Sequence, residues 1–288
     1  MKKMKKNEKK IWNLTWLDSS SVKFVWNILS SKGALVYFVG GCVRDAIQGR
    51  EIKDIDIATN TWPSEVVKLA ESAGLKVVKT GLSHGSVSLI INRERFEVTT
   101  FRSDLVTDGR KSKVSFSSNI LDDAKRRDFT MNALYMTIDG KILDPISGWK
   151  DLVNGYVKFI GDPEKRIHED YLRVLRYFRF LTTYSKNGKL VDTNTLDACS
   201  NAVPGLKILS QNRIWSEFQQ ILLADNSCLG LKLMKKCGVL DALLPFADIA
   251  NLQRFLAIEN KLKFKFTEIN RLVALNPSYA SNWARNFP

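Results

Sequence analysis

The sequence predicts an α+β protein, a mixed-sheet head followed by an all-helical body. Three observations carry that prediction. Short apolar or period-two stretches alternate with helical ones through the first half of the chain, and only helical periodicity remains from about residue 164 onward. With 288 residues, the chain is long enough for about two domains at roughly 150 residues each. The change of class places the boundary at about 160, giving a basic lead-in over 1–32, a head over 33–160 and a helical region over 161–288.

Residues 34–39 are apolar and β-prone, and Gly40-Gly41 stops them before a short helix through Val43–Ile47. Residues 54–59, Asp-Ile-Asp-Ile-Ala-Thr, alternate with period two, which sets both aspartates on one strand face and both isoleucines on the other. Thr61-Trp62-Pro63-Ser64 opens an amphipathic helix that Gly74 ends. Strands resume at 75–79, 86–91 and 95–101, with a hairpin at Asn92-Arg93-Glu94. Residues 102–123 mix Ser, Asp, Gly and Lys without periodicity and read as a mobile loop. A last strand pair falls around 133–144, and helices are expected near 164–184, 191–202, 210–224 and 227–237.

Lys and Arg number 44 against 30 Asp and Glu, a formal net charge of +14, which favours an anionic partner. Six lysines lie in the first ten residues, yet most of the excess lies beyond them. The segment after those lysines is broken by polar residues, so no export signal is expected, and no apolar run approaches membrane-spanning length. Cys42, Cys199, Cys228 and Cys237 form no C-x-x-C pair, which argues against zinc and disulfides and for reduced thiols in a cytoplasmic protein.

Three constellations could carry chemistry. Asp54 and Asp56 project side by side, and paired carboxylates repel unless a hard divalent cation such as Mg²⁺ sits with them. Glu97 can supply a third carboxylate if its strand is a neighbour. Two solvent-facing aspartates guarding a sheet edge are the plain alternative. Gly40-Gly41-Cys42-Val43-Arg44-Asp45 joins a strand end to a helix start, a geometry that suits phosphate, with Arg44 as a forked donor; a tight turn that needs glycine for packing is the alternative. In residues 169–180, Leu172, Val174, Leu175 and Phe178 share one helix half, while Asp170, Arg173, Arg176 and Arg179 sweep across the other. Such a ladder can bind bases and phosphates, or simply pair its own charges.

Taken together, GGCVRD at 40–45, the D-x-D strand, RRDFTMNAL at 126–134, DPISGWKDL at 144–152 and EDYLRVLR at 169–176 resemble the bacterial class II nucleotidyltransferases. That family joins CCA-adding tRNA nucleotidyltransferases with bacterial poly(A) polymerases, and the likeness spans about residues 34–240. The resemblance implies that Gly41 and Arg44 contact the nucleoside triphosphate and that Asp54 and Asp56 hold catalytic Mg²⁺. It also implies that Arg127, Asp170, Arg173, Arg176 and Arg179 bind the incoming ATP or CTP. Asp170 and Arg173 match the pair that chooses the base without a template, and three residues apart on one helix they would be neighbours. The expected activity is addition of CCA to the tRNA 3′ end. Lys79-Thr80-Gly81-Leu82-Ser83-His84-Gly85-Ser86-Val87 resembles the CCA-adding branch more than the poly(A) polymerases, which extend RNA 3′ ends with AMP. His84 reads as part of that turn. A silent RNA-binding protein is the distant alternative, and the motifs set no oligomeric state. Cys42, Gln48 and Asn212 depart from the family's usual residues without touching a ligand position.

Overall fold

The computed structural model describes residues 12–108, 111–186 and 191–277. The chain divides into two compact units between Val153 and Asn154, somewhat ahead of the expected boundary at 160. The shift reflects the packing of the helix Gly148–Asn154 on the head, where Gln48 Nε2 donates to the Leu152 carbonyl at 3.1 Å.

The head opens with helix α1 (Ser20–Ser30), then β1 (Val36–Val39), α2 (Gly41–Ile47), β2 (Ile55–Thr59), α3 (Pro63–Ser72), β3 (Lys76–Val78), β4 (Ser86–Ile91) and β5 (Glu94–Thr100). It continues through β6 (Arg102–Asp108), β7 (Lys111–Phe116), α4 (Ile120–Lys125), β8 (Tyr135–Met136), β9 (Ile142–Leu143) and α5 (Gly148–Asn154). Seven strands form one mixed sheet in the order β3-β4-β5-β2-β1-β8-β9, so β2 lies at its centre. The parallel pair β2–β5 sets Asp56 opposite Glu97 and Ile57 opposite Val98. Its crossover runs through α3, β3 and β4, as a parallel connection requires. The hairpin between β4 and β5 turns on Asn92 and Arg93, both at positive φ (50° and 68°), the geometry of a two-residue turn that follows the strand twist.

Along β2 burial rises from Asp54, which is exposed, to Ile57, Ala58 and Thr59, which are fully buried on both faces. The aspartates therefore stand at the open end of a central strand, and the edge-guard alternative is excluded. Phe38, Leu89, Phe96 and Phe101 fill the core around it.

Residues 102–123 are not the loop that the sequence suggested. β6 and β7 pair as an antiparallel ribbon, and α4 follows with Asn119 as its cap, accepting the Leu121 N–H at 2.9 Å. The ribbon's sequence mixes Ser, Lys, Asp and Arg with only a few apolar residues, so a period-two signal was not apparent.

The regular elements of the second unit are helices: α6 (Pro163–Glu169), α7 (Leu172–Tyr184), α8 (Thr193–Asn201), α9 (Gln211–Leu223), α10 (Ser227–Lys236), α11 (Val239–Leu243), α12 (Ile249–Leu262) and α13 (Glu268–Leu275) among its described residues. The helix expected over 164–184 is two helices, because Asp170 adopts an extended conformation (φ −159°, ψ 106°) between them. Its side chain accepts the Leu172 N–H at 3.1 Å, a local bond that competes with continuing the helix. Val174, Leu175, Tyr177, Phe178 and Leu181 bury the inner face of α7. A buried ion pair, Arg271 with Glu259 at 3.0 Å, ties α13 to α12, and Arg271 also donates to the Leu222 carbonyl of α9. Among the described residues no helix is long and apolar enough to cross a membrane.

Candidate active site

In the head, the strand end of β1 leads into Gly40 at φ 73°, a conformation open to glycine. A Cβ there would lie 3.5 Å from both Arg127 Nη1 and Asp56 Oδ2. Sequence reasoning singled out Gly41; it is Gly40 that carries the strained φ and lets the guanidinium and the carboxylate flank bare backbone. Gly41 begins α2.

Burial pushes the Asp56 carboxyl above the ordinary value, Asp54 and Glu97 add to the rise, and Arg127 and Arg44 oppose it. Asp54 and Glu97 thus both act on the Asp56 carboxylate, and β5 sets Glu97 opposite Asp56. They are not equally available. The Glu97 carboxylate accepts from Ser88 Oγ at 2.7 Å and Arg95 Nε at 2.5 Å, whereas Asp54 is exposed at the strand mouth. Among the described residues, no group of three His, Cys, Asp or Glu is arranged to hold a metal. Asp54 and Asp56 nonetheless fit Mg²⁺ in its usual manner, in which one or two carboxylates share the ion with substrate phosphates and water.

Arg127 reaches this place because a buried carboxylate holds its other side. Asp123, with no side-chain exposure, accepts at Oδ2 from Arg127 Nη2 at 2.8 Å and from the Tyr135 hydroxyl at 2.7 Å, and at Oδ1 from Arg126 Nε at 2.8 Å. Burial works to raise the Asp123 carboxyl, but Arg127 and Arg126 outweigh it and hold it well below the usual carboxylate range. Arg44 is buried and forks onto Asp45 at 3.0–3.1 Å, while its Nη1 donates to Asn132 Oδ1 at 2.6 Å. Asn132 is held in turn by Asp128 Oδ1 at 2.8 Å.

The remaining motif residues brace one another. Thr130 Oγ1 donates to Asp151 at 2.6 Å, and Asp144 accepts the Gly148 and Trp149 N–H groups at 2.8 and 3.0 Å. Gly148 packs so closely that a Cβ would fall 2.0 Å from the Thr130 carbonyl oxygen. Asp123, Tyr135 and Asn132 were not picked out from the sequence. Each lies in or beside RRDFTMNAL, and Asp123 stands three and four residues before the two arginines, a spacing that could have found it.

In the helical unit, the charged residues do not form the ladder that was expected. Asp170 and Arg173 are not neighbours on a continuous helix, since the chain breaks at Asp170. Asp170 Oδ2 pairs with Arg213 at 2.7 Å, and Arg173 pairs with Glu169 and donates to the Arg166 carbonyl at 2.6 Å. Arg179 Nε meets Glu217 at 2.5 Å and Arg176 meets the same carboxylate at 3.5 Å, with both guanidiniums over the Phe180 ring at 4.6 and 5.5 Å. Arg213 and Glu217 were missed, although their spacing of four on α9 marks them as one helix face.

Residues 36–158 match the Poly A polymerase head domain, and residues 191–250 match the Probable RNA and SrmB- binding site of polymerase A. Head and helical region thus each match a domain of the polymerase A family. The chain is 36% identical over 243 residues to the CCA-adding enzyme of Streptococcus gordonii, covering 83% of this chain and 59% of that one. It is 36% identical over 211 residues to the mitochondrial CCA tRNA nucleotidyltransferase 1 of Mus musculus, covering 73% and 49%. A crystal structure of the Bacillus stearothermophilus CCA-adding enzyme in complex with CTP superposes with a TM-score of 0.68 at 28% identity, over 91% of this chain and 67% of that one. The chain belongs to the family that joins CCA-adding tRNA nucleotidyltransferases with bacterial poly(A) polymerases. It spans about half the length of the curated mammalian relatives it matches.

Proposed function

We propose that this chain adds C and A to the 3′ end of tRNA, taking nucleotidyl groups from CTP and ATP without a template. The observation that carries the reading is the Asp54–Asp56 pair at the open end of the central strand, flanked by Gly40 and Arg127. Its relatives of that activity support the choice of product. In the reaction the RNA 3′-hydroxyl attacks the α-phosphorus, its proton departs, and pyrophosphate leaves with the electron pair of the broken P–O bond. Mg²⁺ bound by Asp54 and Asp56 would make that hydroxyl more acidic and offset the charge gathering on the phosphates. Arg127, anchored from behind by Asp123, offers a fixed cation beside the same place. Glu97 adds negative charge behind Asp56, and its bonds to Ser88 and Arg95 keep it in position. Gly41 and Arg44 are assigned to the triphosphate, and Asp170, Arg173, Arg176 and Arg179 to the incoming nucleotide. Four free cysteines, three of them buried, suit a cytoplasmic location, and burial together with Asp56 pushes the Cys42 thiol up to about 12.

The deciding experiment incubates the protein with Mg²⁺, each nucleoside triphosphate separately, and either tRNA lacking its 3′ CCA or a generic RNA primer. Incorporation of CMP and then AMP confined to the tRNA supports the proposal. Extension of any primer with AMP alone would identify a poly(A) polymerase, the activity named for the matching head domain. Binding without any addition would leave only an RNA-binding protein.

Two further outcomes follow from the same reading. RNA affinity should fall steeply with salt, because a surface of net +14 acts largely by releasing phosphate counterions, and a flat plot of log affinity against log salt would contradict it. Asp170→Ala should relax discrimination against UTP and GTP. A carboxylate only accepts and a guanidinium only donates, a pairing that suits the amino and ring-nitrogen edge of C and A and opposes the carbonyl of U and G. The expected cost for CTP is about 1–3 kcal/mol in kcat/KM.

A further inference from the structure

We infer that Arg95 is a positioning residue for the metal site: it holds the Glu97 carboxylate away from the ion, so that Asp54 and Asp56 bind Mg²⁺ without a third carboxylate. The inference rests on the reading of those two aspartates as the ligands. Glu97 sits between two lateral neighbours, with Asp56 opposite it on β2 and Ser88 opposite it on β4. Paired residues of adjoining strands share one face of a sheet, so its side chain stands between the aspartates on one side and a hydroxyl on the other. Arg95, two residues earlier on β5, projects from the same face.

The bonds run toward Ser88. Glu97 Oε1 accepts from Ser88 Oγ at 2.7 Å and from Arg95 Nε at 2.5 Å, and Arg95 Nη2 donates to Ser88 Oγ at 3.0 Å. Carboxylate, hydroxyl and guanidinium close a triangle, and charge-assisted bonds of this kind are roughly twice as strong as neutral ones. Ser88 is buried, so its hydroxyl is a fixed point for the other two. Register thus brings a third carboxylate beside Asp56, while among the described residues no group of three acids, histidines or cysteines is placed to hold a metal. The triangle accounts for both facts. Its consequence is chemical: Mg²⁺ demands an octahedral shell, and a carboxylate withheld by Arg95 leaves one more position for a triphosphate oxygen or water. The guanidinium also offsets a charge that would otherwise repel the triphosphate. Metal binding is thereby left to depend on the nucleotide arriving with it.

The test is a double-mutant cycle on Mn²⁺ binding to the full chain without nucleotide, read from the electron paramagnetic resonance signal of free Mn²⁺. Arg95→Ala should tighten binding about five-fold, a modest factor because the Arg95 side chain is 61% exposed and water screens its pair. Glu97→Gln should change the parent little, yet remove the whole gain when added to Arg95→Ala. Arg95→Lys, which keeps the charge and loses the fork, should recover part of the parent's weaker binding. Ser88→Ala alters no charge and should tighten binding as well, again only while Glu97 is present; it decides the matter if the Arg95 variants do not fold. Equal effects of Glu97→Gln with and without Arg95 would show charge acting through space and would overturn the inference, as would unchanged affinity in Arg95→Ala and Ser88→Ala. If Asp56→Asn leaves Mn²⁺ binding as in the parent, the aspartates are not the ligands, and the reading beneath the inference fails first.

Discussion

Replacing Asp56 by Asn is expected to abolish nucleotide addition while leaving the fold and RNA binding in place, and Asp54→Ala should do the same. The carboxylates serve charge in the reacting phosphates and not the docking of RNA, so their loss removes a negative charge that opposes RNA. Metal-assisted charge stabilisation contributes several kcal/mol, which is about a thousand-fold or more in rate at roughly 1.4 kcal/mol per factor of ten. The consequence for stability has the opposite sign. Burial raises the Asp56 carboxyl in the folded protein, helped by Asp54 and Glu97, so its ionised form opposes folding at neutral pH. That penalty is present above the raised folded value and disappears as pH falls below the ordinary value of 3.8. Asn carries no such charge, so Asp56→Asn should unfold at the parent's temperature or above it at pH 7. Steady-state addition assays and thermal unfolding on the same preparations check both halves. Retained activity, or a large drop in Tm, would remove Asp56 from this role.

Asp123→Ala should strongly destabilise the head. It removes the buried acceptor shared by two guanidiniums, Arg126 and Arg127, whose side chains are only 14% and 15% exposed, and by the buried Tyr135 hydroxyl. Removing one partner of a buried ion pair costs about 3–5 kcal/mol, because the remaining charge is left uncompensated. Tyr135→Phe, which deletes the hydroxyl's bond to Asp123 and its long bond from Arg127 Nε but leaves both ion pairs, should cost about 1 kcal/mol. The pH dependence provides an independent check. Asp123 titrates below its ordinary value of 3.8 in the folded state, so its contribution is fully present above that value and is lost as pH falls through the window beneath it. The parent should therefore weaken in acid more steeply than Asp123→Ala. Urea unfolding at pH 7 and in the acid range measures both, and equal acid slopes for the two proteins would show that Asp123 is not the anchor.

The D-x-D strand illustrates what local pattern can establish. Period two alone puts Asp54 and Asp56 on one face, and the glycine pair after β1 announces a turn, because both are consequences of backbone geometry within a few residues. The helical character of the second unit is equally local, since a 3.6-residue apolar stripe has to be buried against something. The candidate residues could likewise be named from five motifs in order. Their partners could not. That β2 is the central strand, that Glu97 faces Asp56, and that Gly40 rather than Gly41 adopts the positive φ are results of sheet order and register, which depend on pairings across 41 residues of chain.

The charged ladder shows the limit most clearly. From spacing, Asp170 and Arg173 belong to one helix face and to each other. The folded chain breaks the helix at Asp170, gives its carboxylate to Arg213, and gives Arg173 to Glu169. The β6–β7 ribbon was missed for a related reason: its two strands are set by pairing with each other, which a pattern-free stretch of sequence does not announce. The sequence by itself thus determined the two-part architecture and the residue types available for chemistry, because propensity and periodicity act over a turn or a strand. The tertiary structure alone decided the partners that lie far apart in the chain, Arg213 for Asp170 and Glu217 for Arg176 and Arg179, because a guanidinium or carboxylate takes whichever partner packing brings within about 3 Å.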